Sequence, residues 1–260
     1  MKQLQSYGLI GYPLTHSFSK KYFTGKFEKE HIQDHEYNLF PIEQVEQLPE
    51  LLKRNPSLKG LNVTIPYKES VIPLLDELDE TAKEIGAVNC IKIYTDPESA
   101  SEKRLKGYNT DAFGFRQSIK PFLETQHERA LILGTGGASK AVHHVLKMIG
   151  IDCHFVTRTK VIDNTLITKN EFSYEELNEY VMSAFKLIVN TTPVGTYPQV
   201  DDAPAIPYEF ITPSHLLYDL VYNPPETEFL KRGKKMGAST VNGLSMLHQQ
   251  AEEAWRIWNQ

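Results

Sequence analysis

Cysteine is scarce in this sequence, with only Cys90 and Cys153 among 260 residues. The two are not placed at a spacing that binds metal ions. The N-terminal stretch also lacks the roughly 7 to 15 consecutive apolar residues of a secretory signal. We therefore expect a cytoplasmic protein with reduced thiols.

Long apolar runs and basic clusters are missing as well. No run approaches the roughly 18 apolar residues that cross a bilayer, which argues against a membrane protein. The nine histidines share no ligand spacing with cysteines or carboxylates, so we expect no metal. A net charge of -5 gives no basic surface for nucleic acid. The short run "KRGKK" fits the last turn of a helix, where cations complement the helix dipole.

What is present is ordinary globular composition, with 40% hydrophobic and 23% charged residues. The length suits two compact domains meeting along a cleft. In the first half, "YGLIG", "HEYNLFP" and "LKGLNVTIP" predict strands separated by helical segments, which is typical of an α/β fold. The polar stretch "TDPESASEKRLKG" predicts a loop between two antiparallel strands.

A glycine-rich turn opens the second half. The strand "RALILG" runs into "GTGGASKA" and then into an amphipathic helix, which is the setting in which a glycine turn binds a dinucleotide. The third glycine of the common pattern is replaced by Ser139, so a plain tight turn stays possible. The next strand ends in "VTRTK", where Arg158 and Lys160 favour the 2'-phosphate of NADP over the 2'-hydroxyl of NAD.

Polar side chains interrupt the strand "LNVTIP". Asn62 and Thr64 share one face by parity, and Val63 and Ile65 are predicted to point the opposite way into the core. Lys68 follows at a predicted helix start, where the helix dipole disfavours a cation. Near the end of the first strand, Ser17 and Ser19 would lie on one side if the segment were extended, and N-capping of a helix is the alternative.

Eight motifs together resemble the shikimate dehydrogenase family, over a stretch from about Gly8 to the C-terminus. In chain order they are "HSFS", "LNVTIPYKE", "IGAVN", "GYNTDAFGF", "GTGGA", "NTTPVG", "DLVYNPPETEFL" and "GLSMLHQQA". The resemblance implies an N-terminal α/β substrate domain, residues 1–111 with 242–260, and a Rossmann-type NADP domain, residues 112–241. The predicted activity is the reversible NADPH-dependent reduction of 3-dehydroshikimate to shikimate, in the synthesis of chorismate and the aromatic amino acids.

The same resemblance implies the site residues. Lys68 and Asp111 match the catalytic pair, which would supply a proton and stabilise oxygen charge when hydride reaches the ketone. The positions that match the substrate ligands are Ser17, Ser19, Asn62, Thr64, Asn89, Tyr222 and Gln250. The positions that match the cofactor ligands are Gly134, Thr135, Gly136, Gly137, Ala138, Arg158 and Thr159, with a weaker match at Glu80, Thr192, Leu220 and Gly243.

Three departures from the family pattern concern Lys20, Thr157 and Thr196, and they bear on cofactor preference more than on reaction type. Two alternatives stay open at this point. One is a quinate/shikimate dehydrogenase that uses NAD, and the other is a non-catalytic member that senses shikimate-like ligands. The expected partner is a small-molecule substrate, and the expected state is a monomer or a homodimer.

Overall fold

The structure is a computed structural model that describes residues 4–14, 17–96, 99–158 and 170–260. Backbone contacts divide the chain into two units. Unit 1 comprises Met1–Thr110 with Gln250–Gln260, and unit 2 comprises Asp111–Gln249. Each unit contains one six-stranded sheet with helices, which confirms the predicted α/β class. The division assigns Asp111 and residues 242–249 to unit 2.

Unit 1 contains a mixed sheet in the order β2-β1-β3-β5-β6-β4. Strands β2, β1 and β3 run parallel, and β5 is antiparallel to both β3 and β6. The strands are β1 (Gln5–Gly11), β2 (His35–Pro41), β3 (Leu58–Val63), β4 (Glu77–Leu78), β5 (Cys90–Asp96) and β6 (Ser99–Tyr108). The helices are α1 (Phe18–Lys29), α2 (Leu48–Arg54), preceded by a 3-10 turn at Val45–Gln47, and α3 (Glu80–Ile85).

Two helices join the units along the chain. Helix α4 (Thr110–Ile119) begins at the last residue of the first segment of unit 1, and the C-terminal helix α8 (Leu244–Trp258) ends in unit 1. Trp258 packs so closely on β3 that a Cβ at Gly60 would lie 2.2 Å from its Nε1 atom. The same Nε1 donates to the Ile91 carbonyl at 3.0 Å. Glycine at position 60 therefore makes room for the tryptophan that joins α8 to the sheet of unit 1.

Unit 2 contains a wholly parallel sheet in the order β12-β11-β10-β7-β8-β9. This is the Rossmann order, and it reverses direction between β7 and β10. The strands are β7 (Arg129–Leu133), β8 (Asp152–Thr157), β9 (Glu171–Ser173), β10 (Leu187–Asn190), β11 (Leu216–Asp219) and β12 (Ser239–Val241). The helices that belong wholly to this unit are α5 (Gly137–Met148), α6 (Glu179–Ala184) and α7 (Glu228–Lys235).

The predicted loop between the antiparallel strands is wrong in extent, because most of that polar segment belongs to β6. Leu105 is buried opposite Ile93, while Arg104 forms an ion pair with Asp96 at 2.8 Å. A strand with one buried face and charged residues on the other has polar composition overall. Composition alone therefore does not separate it from a loop.

Candidate functional site

Lys68 lies in a turn that follows β3, and not at the start of a helix as the sequence predicted. Strand β3 ends at Val63, and the chain then turns because the Tyr67 N–H donates to the Thr64 carbonyl at 3.0 Å. The turn breaks the alternation of faces, so Ile65 is 72% exposed and the prediction that it is a core residue is wrong. Thr64 is half-buried, and its N–H donates to the Ile10 carbonyl at 3.0 Å.

The backbone of Lys68 is held next to the start of β5. Its carbonyl accepts a hydrogen bond from the Val88 N–H at 2.7 Å, and the following Asn89 carbonyl accepts from the Val63 N–H at 2.9 Å. These two bonds bring the turn that carries Lys68 alongside the asparagine predicted to bind substrate. The Lys68 residue is half-buried, which leaves part of it accessible.

Asn62 is buried in unit 1 and hydrogen-bonded on both sides of its amide. The Tyr37 hydroxyl donates to Oδ1 at 2.7 Å, and Nδ2 donates to the Asn89 carbonyl at 3.4 Å. Sequence reasoning missed Tyr37, which lies on β2 and is separated from Asn62 on β3 by the intervening β1. Complete burial raises the pKa of the Tyr37 hydroxyl well above its ordinary value, and a hydrogen bond with Ser19 acts in the opposite direction.

Asn89, Thr110 and Gln250 form a second part of the same buried polar network. Asn89 Oδ1 accepts from the Thr110 N–H at 2.6 Å, and Nδ2 donates to Thr110 Oγ1 at 3.0 Å. The Thr110 hydroxyl lies 3.4 Å from Gln250 Oε1 and donates to it. Thr110 lies inside the motif "GYNTD" but was not among the predicted residues. The residue directly before β5, helix α4 and helix α8 thus each contribute one neutral polar side chain.

The two serines near α1 play different structural parts. Ser17 is the N-cap of α1, and its hydroxyl accepts from the Lys20 N–H at 3.2 Å, so the capping alternative is the one adopted. Ser19 is in the first turn of the helix and its hydroxyl bonds with Tyr37. Ser17 itself has extended backbone, with φ -137 and ψ 120, and Ser19 lies inside the helix. His16 of the same motif lies outside the described residues.

The glycine turn of unit 2 lies between β7 and α5, at the point where the strand order reverses. Gly134 has φ +103, and a Cβ there would lie 3.0 Å from Thr192 Cγ2, so this position needs glycine for both backbone and space. A Cβ on Gly136 would meet nothing within 4 Å, so that side of the turn is open. A backbone open on one side at a helix N-terminus fits the pyrophosphate of a dinucleotide.

Ser139 takes the place of the third glycine without disturbing this turn. Its side chain is fully buried, and its hydroxyl donates to the Gly136 carbonyl at 2.5 Å. The third glycine of the common pattern allows the helix to pack closely against the strand. Serine is small enough to allow the same packing, and its hydroxyl also bonds to the turn. Thr135, Gly137 and Ala138 complete the segment, with Thr135 exposed and Gly137 as the first residue of α5.

A buried carboxylate stands at the end of β11, next to the turn after β10. Asp219 accepts hydrogen bonds from Asn190 Nδ2 at 2.9 Å, the Val221 N–H at 3.0 Å and the Thr227 hydroxyl at 2.6 Å. Burial raises the pKa of Asp219 to about 6, and these three donors act against that rise. Asn190 in turn accepts from the Thr192 N–H and hydroxyl. The network was missed, although polar residues that end buried strands are visible in "VNTTP" and "YDL".

Leu220 and Gly243 meet at the far end of this edge. A Cβ on Gly243 would lie 2.1 Å from the Leu220 carbonyl oxygen, and the Gly243 N–H donates to the Val221 carbonyl at 3.2 Å. The Leu220 N–H donates to the Asn190 carbonyl at 2.9 Å. Within unit 2 the structure therefore joins Gly134 to Thr192, and Thr192 through Asn190 to Leu220 and Gly243.

The remaining candidates are distributed over both units. Arg158 is exposed directly after β8, and Thr159 lies outside the described residues. Asp111 is buried in the first turn of α4. Tyr222 is 37% exposed in unit 2, and burial of part of its ring raises the pKa of its hydroxyl. Glu80 is exposed in the first turn of α3 in unit 1, where a carboxylate favours the helix dipole.

Metal-binding clusters and membrane-spanning helices are absent from residues 4–14, 17–96, 99–158 and 170–260. This part of the chain contains no group of three or more His, Cys, Asp or Glu side chains that could hold a metal ion. None of its helices has both the length and the apolar character to span a bilayer.

Comparison with known proteins decides the family. The shikimate dehydrogenase NADP(+) of Methanosphaera stadtmanae is 38% identical over 263 residues, which cover 96% of this chain and 90% of that protein. A family model described as the shikimate dehydrogenase substrate binding domain matches residues 9–91. The chain belongs to the shikimate dehydrogenase family.

Solved shikimate dehydrogenases have the same fold. The crystal structure from Aquifex aeolicus aligns with a TM-score of 0.84 at 36% identity, covering 98% of this chain and 92% of that one. The structure from Thermus thermophilus, in complex with NADP(H) and shikimate, aligns with a TM-score of 0.82 at 30% identity and covers 98% and 93%. The substrate-domain model for shikimate dehydrogenases spans the chain from Leu9 in β1 to Ile91 in β5, and thus includes Asn62, Lys68 and Asn89.

Proposed function

We propose that this protein catalyses the reversible NADPH-dependent reduction of 3-dehydroshikimate to shikimate. The observation that carries the proposal is the buried network of neutral amides and hydroxyls in unit 1, with Lys68 held beside it, in a chain of this family. Neutral hydrogen-bonding groups suit a polyhydroxylated ligand, because each can donate to or accept from a hydroxyl. One nearby lysine supplies the charge that the reaction needs.

Unit 2 has the features that would hold NADP. Gly134 to Ala138 would take the pyrophosphate at the N-terminus of α5, and Arg158 would meet the 2'-phosphate with a planar, permanently charged group. Thr192, Leu220 and Gly243 follow the neighbouring strands on the other side of the switch point. NADPH, when bound, supplies the hydride, and the protein supplies position and electrostatics.

The roles of the catalytic pair follow from the chemistry of the ketone. Reduction places negative charge on the ketone oxygen, which then needs a proton. We assign stabilisation of that charge, or donation of the proton, to the Lys68 ammonium, and the orientation of Lys68 and of the reacting hydroxyl to the Asp111 carboxylate. Ser17, Ser19, Asn62, Thr64, Asn89, Tyr222 and Gln250 are assigned to substrate hydroxyls and carboxylate.

Replacement of Lys68 tests the proposal directly. The Lys68→Ala variant should lose a factor of about 100 or more in kcat, because general acid catalysis contributes at least that much. Its Tm and its affinity for NADPH should stay as in the parent protein. The matched control is Lys53→Ala, which removes an exposed lysine from the last turn of α2 in the same unit. Equal turnover in the Lys68→Ala variant and the control would refute the assigned role.

Substrate and cofactor are tested together by the absorbance of NADPH formed on adding shikimate and NADP+. Parallel reactions with quinate, and with NAD+, test the alternative of a quinate/shikimate dehydrogenase. Turnover with shikimate and NADP+ above the other three combinations supports the proposal, and turnover in none of them supports a sensing role.

We further propose a cytoplasmic enzyme that acts as a monomer or homodimer. The cytoplasmic location is supported by Cys90 and Cys153, which are both buried free thiols, as suits a reducing compartment.

A further inference from the structure

Tyr37 is a buried polar group that the proposed mechanism does not use. It lies on β2 with 3% of its surface exposed, and its ring stacks on Phe23 at a centroid distance of 4.8 Å and an interplanar angle of 14°. The aromatic contacts fix the ring, so the hydroxyl has one position. Two predicted substrate residues, Ser19 and Asn62, bond to that hydroxyl.

The direction of these hydrogen bonds follows from donor and acceptor accounting. Asn62 Nδ2 donates to the Asn89 carbonyl, so Oδ1 is the end of the amide that faces Tyr37. A carbonyl oxygen only accepts, and Tyr37 must therefore give its single proton to Asn62. The phenolic oxygen is then an acceptor towards Ser19. The Tyr37 proton and the Asn89 carbonyl thus together decide which end of the Asn62 amide is the donor end.

We infer that Tyr37 is a positioning residue for substrate, which it serves by fixing the orientation of the Asn62 amide and the direction of the Ser19 hydroxyl. This inference rests on the proposed function. The Nδ2 atom of Asn62 carries a second hydrogen, which we assign to an oxygen of the substrate. Without the Tyr37 proton, a rotation of the amide by half a turn would present an acceptor where the substrate also presents one.

Removal of the hydroxyl should weaken substrate binding and leave the chemical step nearly unchanged. We expect Tyr37→Phe to raise the KM for shikimate about tenfold, because a lost neutral hydrogen bond and a misoriented amide act together. The kcat and the KM for NADP+ should change less than about twofold, since the contact is made equally before and during reaction.

Tyr7→Phe is the matched control. Tyr7 lies in the same hydrophobic cluster of unit 1 and is fully buried, and its hydroxyl donates to Gln5 Oε1 at 3.2 Å. Its shikimate KM should equal that of the parent protein. A Tyr37→Phe variant with an unchanged shikimate KM, or an equal rise in KM in both variants, would overturn the inference. If the parent protein itself does not turn over shikimate, the proposed function is refuted instead.

A double-mutant cycle with Asn62→Asp separates positioning from general loss of stability. A carboxylate has two equivalent oxygens, so it has no donor end for Tyr37 to select. Tyr37→Phe should therefore add less than about twofold to the KM of the Asn62→Asp variant, although each single change raises it. Additive effects of the two changes on KM would show that Tyr37 does not act through the amide.

Discussion

The buried carboxyl of Asp219 should make the stability of this protein depend on pH in an identifiable way. Its pKa in the folded chain is about 6, against an ordinary value of 3.8. Below the ordinary value both states hold the proton and the group has no effect. As pH rises from about 4 to about 6 the unfolded chain releases the proton first, so folding is progressively disfavoured. The two pKa values differ by about two, and each pKa unit corresponds to 1.36 kcal/mol, so the free energy of unfolding should fall by about 3 kcal/mol.

Asp219→Asn tests this magnitude, because an amide of the same shape does not titrate. Its oxygen can accept from Asn190 and Val221, and its amino group can donate to the Thr227 hydroxyl once that hydroxyl rotates. Urea unfolding of both proteins from pH 4 to pH 8 gives the difference in free energy of unfolding, in which the other titrating groups cancel. The parent should lose about 3 kcal/mol relative to the variant across this range. A difference that is constant with pH would refute the assigned pKa shift.

Two further predictions concern unit 2. Arg158→Ala should raise the KM for NADP+ by about 10- to 100-fold, which is the range for a lost charge-assisted hydrogen bond. The KM for NAD+ should stay nearly unchanged, and equal effects on both cofactors would contradict a 2'-phosphate contact. Gly243→Ala should destabilise the chain by at least about 1–3 kcal/mol in urea unfolding, because its Cβ would overlap the Leu220 carbonyl. The control Gly25→Ala has open space in α1 and should not destabilise.

The parts of the fold with strong local patterns were predictable from sequence. "HEYNLFP" coincides with β2, and the amphipathic helix after the glycine turn buries Ala141, Val142, Val145 and Leu146 at helical spacing. Ile149, which has the same spacing, is the C-cap of that helix and is 39% exposed. Gly150, with φ +85, follows the end of that helix, as expected of a left-handed residue at this position. Strand–helix alternation in the first half predicts parallel strands, which holds for β2, β1 and β3 but not for β5, which is antiparallel to its neighbours. The Rossmann-type sheet of unit 2 is confirmed.

The errors fall where tertiary contacts override local pattern. The turn after β3 is set by hydrogen bonds of Thr64 and Tyr67 with the surrounding backbone, and alternation within the strand does not reveal where it stops. The sequence prediction of the polar networks is incomplete for a similar reason. Tyr37 on β2 meets Asn62 on β3 across the intervening β1, and Asn190 meets Asp219 across two neighbouring strands; both pairs are more than 20 residues apart in sequence. The family resemblance supplied single positions, and the structure supplied the bonds between them.

The discontinuity of unit 1 has a consequence for how the chain is made. Most of its sheet precedes unit 2 in the chain, but the tryptophan that covers Gly60 and bonds to the Ile91 carbonyl follows unit 2. During translation the groove on β3 therefore stays uncovered until every residue of unit 2 has left the ribosome. Unit 1 is therefore completed only after unit 2 has been synthesised.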